Sequence, residues 1–95
     1  MIKSFADKTT EDLFNRKQVS NLPSTILNAA YRKLLILDAA DRIDDLKVPP
    51  GNRLEKLSGK LSGKYSIRVN NQWRLVFSWQ DNNAFEVEIA DYHKG

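Results

Sequence analysis

At 95 residues the chain has room for a single domain, 1–95, and its 41% apolar and 28% charged content describes a folded protein, not a disordered one. Cysteine is absent, which excludes disulfide staples and thiolate metal sites and suits a reducing cytosol. A net charge of +3 argues only weakly for a nucleic-acid partner, and neither a secretory leader nor a membrane span is legible, since the longest aliphatic run is Leu34 to Leu37. The expectation is a soluble, cytoplasmic protein with no membrane partner.

Ile2 to Phe5 reads as a short first strand. Asp7 or Thr9 then caps a helix of about two turns ending near Asn15, with Leu13 and Phe14 as its apolar contacts. After a polar loop from Gln18 to Asn21, Pro23 opens a second helix. Ile26, Leu27, Ala30, Leu34 and Leu37 recur at spacings of three and four and share one face of it, as far as about Asp38. A helical piece over Asp41 to Leu46 follows, and Pro49-Pro50-Gly51 ends the helical half.

Beyond that point the pattern has period two. Tyr65, Ile67 and Val69 alternate with polar residues, as do Trp73, Leu75, Phe77 and Trp79, and then Phe85, Val87 and Ile89. Arg53 to Leu57 is a weaker strand candidate, and Ser58 to Lys64 reads as a flexible basic loop. The class is α+β, with N-terminal helices packed on one face of an antiparallel sheet. Trp73 and Trp79 share a face with Leu75 and Phe77, so packing explains them better than base stacking.

Charge placement is more informative than net charge. Arg53, Lys56, Lys60, Lys64, Arg68 and Arg74 are opposed only by Glu55, whereas the first fifty residues are nearly balanced, with acids gathered at Asp38, Asp41, Asp44 and Asp45. Such asymmetry favours an anionic partner at one face. If Ile67 and Leu75 share the apolar face across a short Asn70-Asn71-Gln72 loop, Arg68 falls opposite Arg74. Like charges facing each other on a sheet are unfavourable. Either the two guanidiniums form a fork for a phosphate, or each pairs with a carboxylate such as Glu86 or Glu88.

The chain ends in Ala90-Asp91-Tyr92-His93-Lys94-Gly95. His93 is the only histidine, so no histidine metal cluster can form. It is either a solvated tail residue or, continuing a strand, an imidazole held beside the sheet, with Asp91 to orient it and Tyr92 as a second proton donor or stacking ring. Imidazole and arginines without metal are enough to cleave RNA, which carries its own nucleophile in the 2′-OH. The acids of Asp38 to Asp45 show no metal-binding spacing, and no phosphate-binding glycine loop or nucleophile elbow is present. No cofactor is expected.

The stretches Pro49-Pro50-Gly51-Asn52-Arg53-Leu54-Glu55, Tyr65-Ser66-Ile67-Arg68-Val69-Asn70-Asn71-Gln72-Trp73-Arg74 and Val87-Glu88-Ile89-Ala90-Asp91-Tyr92-His93 resemble the plasmid-maintenance killer proteins. These are the HigB branch of the RelE toxin superfamily, and the resemblance covers essentially the whole chain. It implies a microbial-ribonuclease-like toxin of a type II toxin–antitoxin system that cuts translated mRNA in the ribosomal A site without metal. The implied partner is a HigA-type helix-turn-helix antitoxin, with operator DNA reached only through the complex. Carried over by position, the active-site tail falls on Asp91, Tyr92 and His93, and the strand arginine on Arg74 with Arg68 beside it. From the charge placement, Arg53, Lys56, Lys60 and Lys64 are the candidate RNA contacts. Where relatives often carry His or Lys after the proline-rich turn, this chain has Glu55 and Ser58, so Lys56 or Lys60 substitutes as a cation or Glu55 acts as an alternative base. The competing readings are a non-catalytic RNA or ribosome binder and an inactive antitoxin-binding protein.

Overall fold

In the computed structural model, which describes residues 1–92, two helices cover one face of an antiparallel sheet with strand order β1-β2-β3-β4. Helix α1 (Lys8–Phe14) starts at Asp7, whose carboxylate accepts from the Thr10 amide at 2.7 Å. The choice between Asp7 and Thr9 as cap is thereby settled for Asp7. Pro23 stands just before a 3₁₀ turn, Ser24–Ile26, which leads into α2 (Leu27–Ala39). Ala30, Leu34 and Leu37 of α2 are fully buried, as the three–four spacing requires. The piece expected over Asp41 to Leu46 is a 3₁₀ helix, Ile43–Lys47, started by Asp45, whose carboxylate accepts from the amides of Asp41 and Arg42 at 3.0 Å each. Part of the acid cluster therefore has a local structural use.

The proline-rich segment does more than end a helix. Pro50–Asn52 makes a further 3₁₀ turn that buries Asn52 completely. Its amide nitrogen donates to the carbonyls of Leu46 and Val48, 3.2 Å each, and its oxygen accepts from Lys33 Nζ at 2.5 Å. A buried amide with donors and acceptors all engaged locks this turn onto α2.

β1 is only Glu55–Lys56, shorter than the Arg53–Leu57 expectation, and β2 is Lys64–Arg68. Between them the basic loop contains a 3₁₀ turn, Gly59–Leu61. β3 (Trp73–Gln80) pairs with β2 in the expected register, Ile67 opposite Leu75 and Arg68 opposite Arg74. β4 (Asn83–Asp91) departs from simple alternation. Glu88 faces Val76 but Phe85 faces Ser78, so a bulge intervenes, with Glu86 at φ 52°. Ala84, Val87 and Ile89 therefore join the core, and Phe85 is turned out of the set in which alternation had placed it. Ile2 and Phe5 run parallel to β4 as isolated bridges, and Ser4 Oγ accepts from the bulged Glu86 amide at 2.9 Å. The strand expected over Ile2 to Phe5 is thus reduced to two bridges, which still cover part of an otherwise open edge.

Leu34, Leu37, Leu46, Ile67, Leu75, Phe77 and Val87 are sealed between the layers, with Trp73 and Trp79 packed against them. Leu34→Ala is expected to cost about 2–5 kcal/mol of stability, read as the shift of a urea unfolding curve. An unchanged midpoint would contradict this placement of α2. No helix among the described residues is long and apolar enough to cross a membrane.

Candidate active site

The helices leave the other face of the sheet open, and there the ends of β2 and β3 meet the turn before β1. Arg53, Glu55, Arg68, Asn70, Asn71, Arg74 and Tyr92 line a cleft of about 390 Å³. Arg74 lies at its base, only 7% exposed. Its Nε donates to Ser66 Oγ at 2.8 Å and its Nη2 to the Arg53 carbonyl at 2.5 Å. The carbonyl is presented by Arg53 in the left-handed conformation, φ 44° and ψ 58°, at the end of the Asn52 turn. Glu55 Oε1 stands 3.7 Å from Nη1, and the Tyr92 ring centre lies 5.4 Å from the guanidinium carbon. A guanidinium held at several nitrogens has one orientation, and its charge is aimed before any ligand arrives.

Arg68 is held differently. Its Nη2 donates to Asn71 Oδ1 in the connecting loop. That loop is shaped by Asn70, whose side-chain oxygen accepts from the amides of Gln72 and Trp73 at 2.8 Å each. The unfavourable Arg68–Arg74 pairing is thus answered by Asn71 on one arginine and by Glu55 on the other. Neither carboxylate proposed as a partner from sequence fills that role. Glu86 pairs with Lys64 at 3.6 Å, and Glu88 has no ion pair among the described residues. Three guanidiniums against one carboxylate leave the cleft net positive, a site for an anion.

The structure brings Arg53, Glu55, Arg68, Arg74 and Tyr92 together. Lys56, Lys60 and Lys64 do not line the cleft. Lys56 is paired with Tyr65, on the opposite side of the pleat from Glu55; Lys60 is exposed on the 3₁₀ turn; and Lys64 is engaged by Glu86. Asp91 is also outside the lining, opposite Trp73, where its Oδ2 accepts from Gln72 Nε2 at 2.9 Å. Tyr92 reaches the cleft because its amide donates to the Gln72 carbonyl at 2.7 Å, prolonging the β3–β4 pairing by one residue. His93 lies outside the described residues.

Sequence reading missed Ser66 and Asn52, which hold Arg74 and the turn that presents the Arg53 carbonyl. It also gave no role to Lys33. Burial, with Arg32 and Arg68 nearby, lowers the Lys33 ammonium from its ordinary value. The signal for Ser66 was present in its position on the polar face two residues before Arg68.

The family model for the RelE-like toxin of the type II toxin–antitoxin system HigB matches residues 3–93. The chain belongs to the HigB-like toxin family. It is 48% identical over 95 residues to Toxin HigB-1 of Vibrio cholerae, covering 99% of each chain. It is 31% identical over 93 residues to Endoribonuclease HigB of Proteus vulgaris, covering 98% of this chain and 100% of that one. Among solved structures, a chain of the YoeB-YefM complex from Staphylococcus aureus matches 98% of both chains with a TM-score of 0.60 at 24% identity, which supports the α+β fold of this toxin. Among the described residues no group of three or more His, Cys, Asp or Glu is placed to hold a metal ion.

Proposed function

We propose that this HigB-like toxin is an endoribonuclease that cuts translated mRNA on the ribosome by metal-independent attack of the 2′-OH on the adjacent phosphate. The observation that carries the reading is Arg74, buried and held by Ser66 and the Arg53 carbonyl beside Tyr92 in a net-positive cleft. Charge on the phosphate rises as the pentavalent transition state forms, and preorganised cations stabilise that state more than the ground state. Arg74 takes this role, with Arg68 and Arg53 binding the flanking backbone. The reaction also needs one group to take the 2′-OH proton and another to protonate the leaving 5′-oxygen. Glu55, beside Arg74 in the cleft, is assigned the first and His93 the second, with Tyr92 supporting the tail and Asp91 orienting it.

Regulation follows the family: a HigA-type helix-turn-helix antitoxin neutralises the toxin in the cytoplasm, and operator DNA is contacted only by the complex. The likeness to a toxin in complex with its antitoxin supports an antitoxin partner.

The test is primer extension on a defined message in a reconstituted translation system, with wild type and His93→Ala compared in the presence and absence of ribosomes. Cuts within the translated region that need ribosomes and are lost in the variant are expected. Translation arrest without new RNA ends would make the protein a non-catalytic RNA or ribosome binder. No effect from folded protein would leave only antitoxin binding.

A further inference from the structure

On the same open face lies a second cavity, also about 390 Å³, that this mechanism does not use. β3 and β4 contribute Val76, Glu88 and Ala90 to it, the Gly59–Leu61 turn contributes Leu61, and Asp91, already engaged by Gln72, borders it. Tyr92 lines both this cavity and the arginine cleft. Val76 is two positions along β3 from Arg74, about 7 Å, so the two sites are neighbours on one strand.

The lining has a definite chemistry. Val76 is 2% exposed, whereas Leu61 and Tyr92 remain 40% and 44% exposed at the cavity. Two large apolar side chains left open around one hollow call for a flat apolar occupant. Glu88 sits directly opposite Val76, half-buried, and its carboxylate makes no ion pair or side-chain hydrogen bond among the described residues. An ionised carboxylate only accepts hydrogen bonds, so one that lines a cavity without a side-chain partner among the described residues favours a ligand edge that donates.

We propose that this cavity seats a nucleobase next to the phosphate held in the arginine cleft, and that Glu88 selects a base with a donor edge, guanine first and uracil last. Guanine presents N1–H and its 2-amino group side by side, a pair that one carboxylate can accept together. Uracil places carbonyl oxygens on both sides of its single N–H and would turn acceptors toward Glu88. Phosphate and base of one RNA strand then occupy adjoining sites, with the Tyr92 ring between them. The inference rests on the endoribonuclease reading above.

The experiment maps cut positions along a mixed-codon message in the reconstituted translation system for wild type, Glu88→Gln and Ala90→Leu. Glu88→Gln is nearly isosteric, and Ala90→Leu fills the cavity. Wild type is expected to favour guanine over uracil at one position flanking the cut by about tenfold, a discrimination that a paired base contact supplies. In Glu88→Gln that preference falls to about twofold or less while cutting continues, because an amide presents a donor as well as an acceptor. Ala90→Leu, confirmed folded by its unfolding curve, flattens the same position. If Ala90→Leu does not fold, Glu88→Gln decides alone. Cutting with an unchanged map in Glu88→Gln overturns the base subsite and leaves the endoribonuclease intact. So does an unchanged map in the variants together with loss of antitoxin binding, which makes the cavity a protein contact. A wild-type protein that never cuts fails the earlier reading instead, and the subsite falls with it.

Discussion

Arg74→Lys is expected to lower the single-turnover cleavage rate by about 10²–10³-fold, although the positive charge is kept. The argument is geometric. Nε is tied to Ser66 Oγ, Nη2 to the Arg53 carbonyl, and Nη1 faces Glu55 and the cleft. A lysine ammonium is a point charge on a flexible stem and cannot satisfy Ser66 and the Arg53 carbonyl while still meeting a phosphate. The substitution also leaves buried acceptors short of donors, at a stability cost of about 1–3 kcal/mol, so the rate must be measured on protein shown to be folded by its urea curve. Salt-dependent RNA binding should change far less than the rate, because Arg53 and Arg68 remain. Cleavage at the wild-type rate by folded Arg74→Lys would remove Arg74 from the transition state.

The Arg68–Arg74 pairing was legible because alternation puts Ile67 and Leu75 on the apolar face and the short Asn70-Asn71-Gln72 loop fixes which residues meet; a one-residue slip would have turned one strand's apolar set to the open face. α2 was legible for the same kind of reason, its buried stripe being written at helical spacing. The last strand misled at Phe85. A bulge at Glu86 inserts an extra residue without glycine or proline to mark it, and the pattern before it changes phase. The cleft was half legible: its arginines stood out, but the partner of Arg74 did not. Glu55 meets Arg74 only because a two-residue strand pairs with β2 and carries the carboxylate to the open face, which is a product of chain pairing and not of local sequence. Lys56, Lys60 and Lys64 lie outside the cleft for three different reasons: Lys56 takes the other side of the pleat from Glu55, Lys60 stands on a 3₁₀ turn, and Lys64 shares the side of Arg68 but sits four residues away, engaged by Glu86. Ser66 and Asn52 were silent because a small polar residue in a strand or turn is ordinary until its hydrogen bonds are known.

Glu55→Gln is expected to slow cleavage by about 10²-fold or more, the scale of general base catalysis, while leaving RNA binding as tight as in wild type or tighter. The carboxylate lies 3.7 Å from Nη1 of Arg74 inside a cleft whose other charges are cationic. As a spectator it would oppose the phosphate that the arginines attract, since like charges at close range in a partly enclosed site repel. Its presence makes chemical sense if it accepts the 2′-OH proton, which converts it to a neutral acid as the phosphate gains charge. Two readouts separate this role from that of a simple counter-ion holding Arg74 in place. A base removed by the amide gives a lost rate with retained binding. A lost counter-ion gives a disordered Arg74, weaker binding and a lower unfolding midpoint together. Glu55→Gln that binds more weakly and cuts at the wild-type rate when saturated would exclude the base role and pass the proton abstraction to a group of the C-terminal tail.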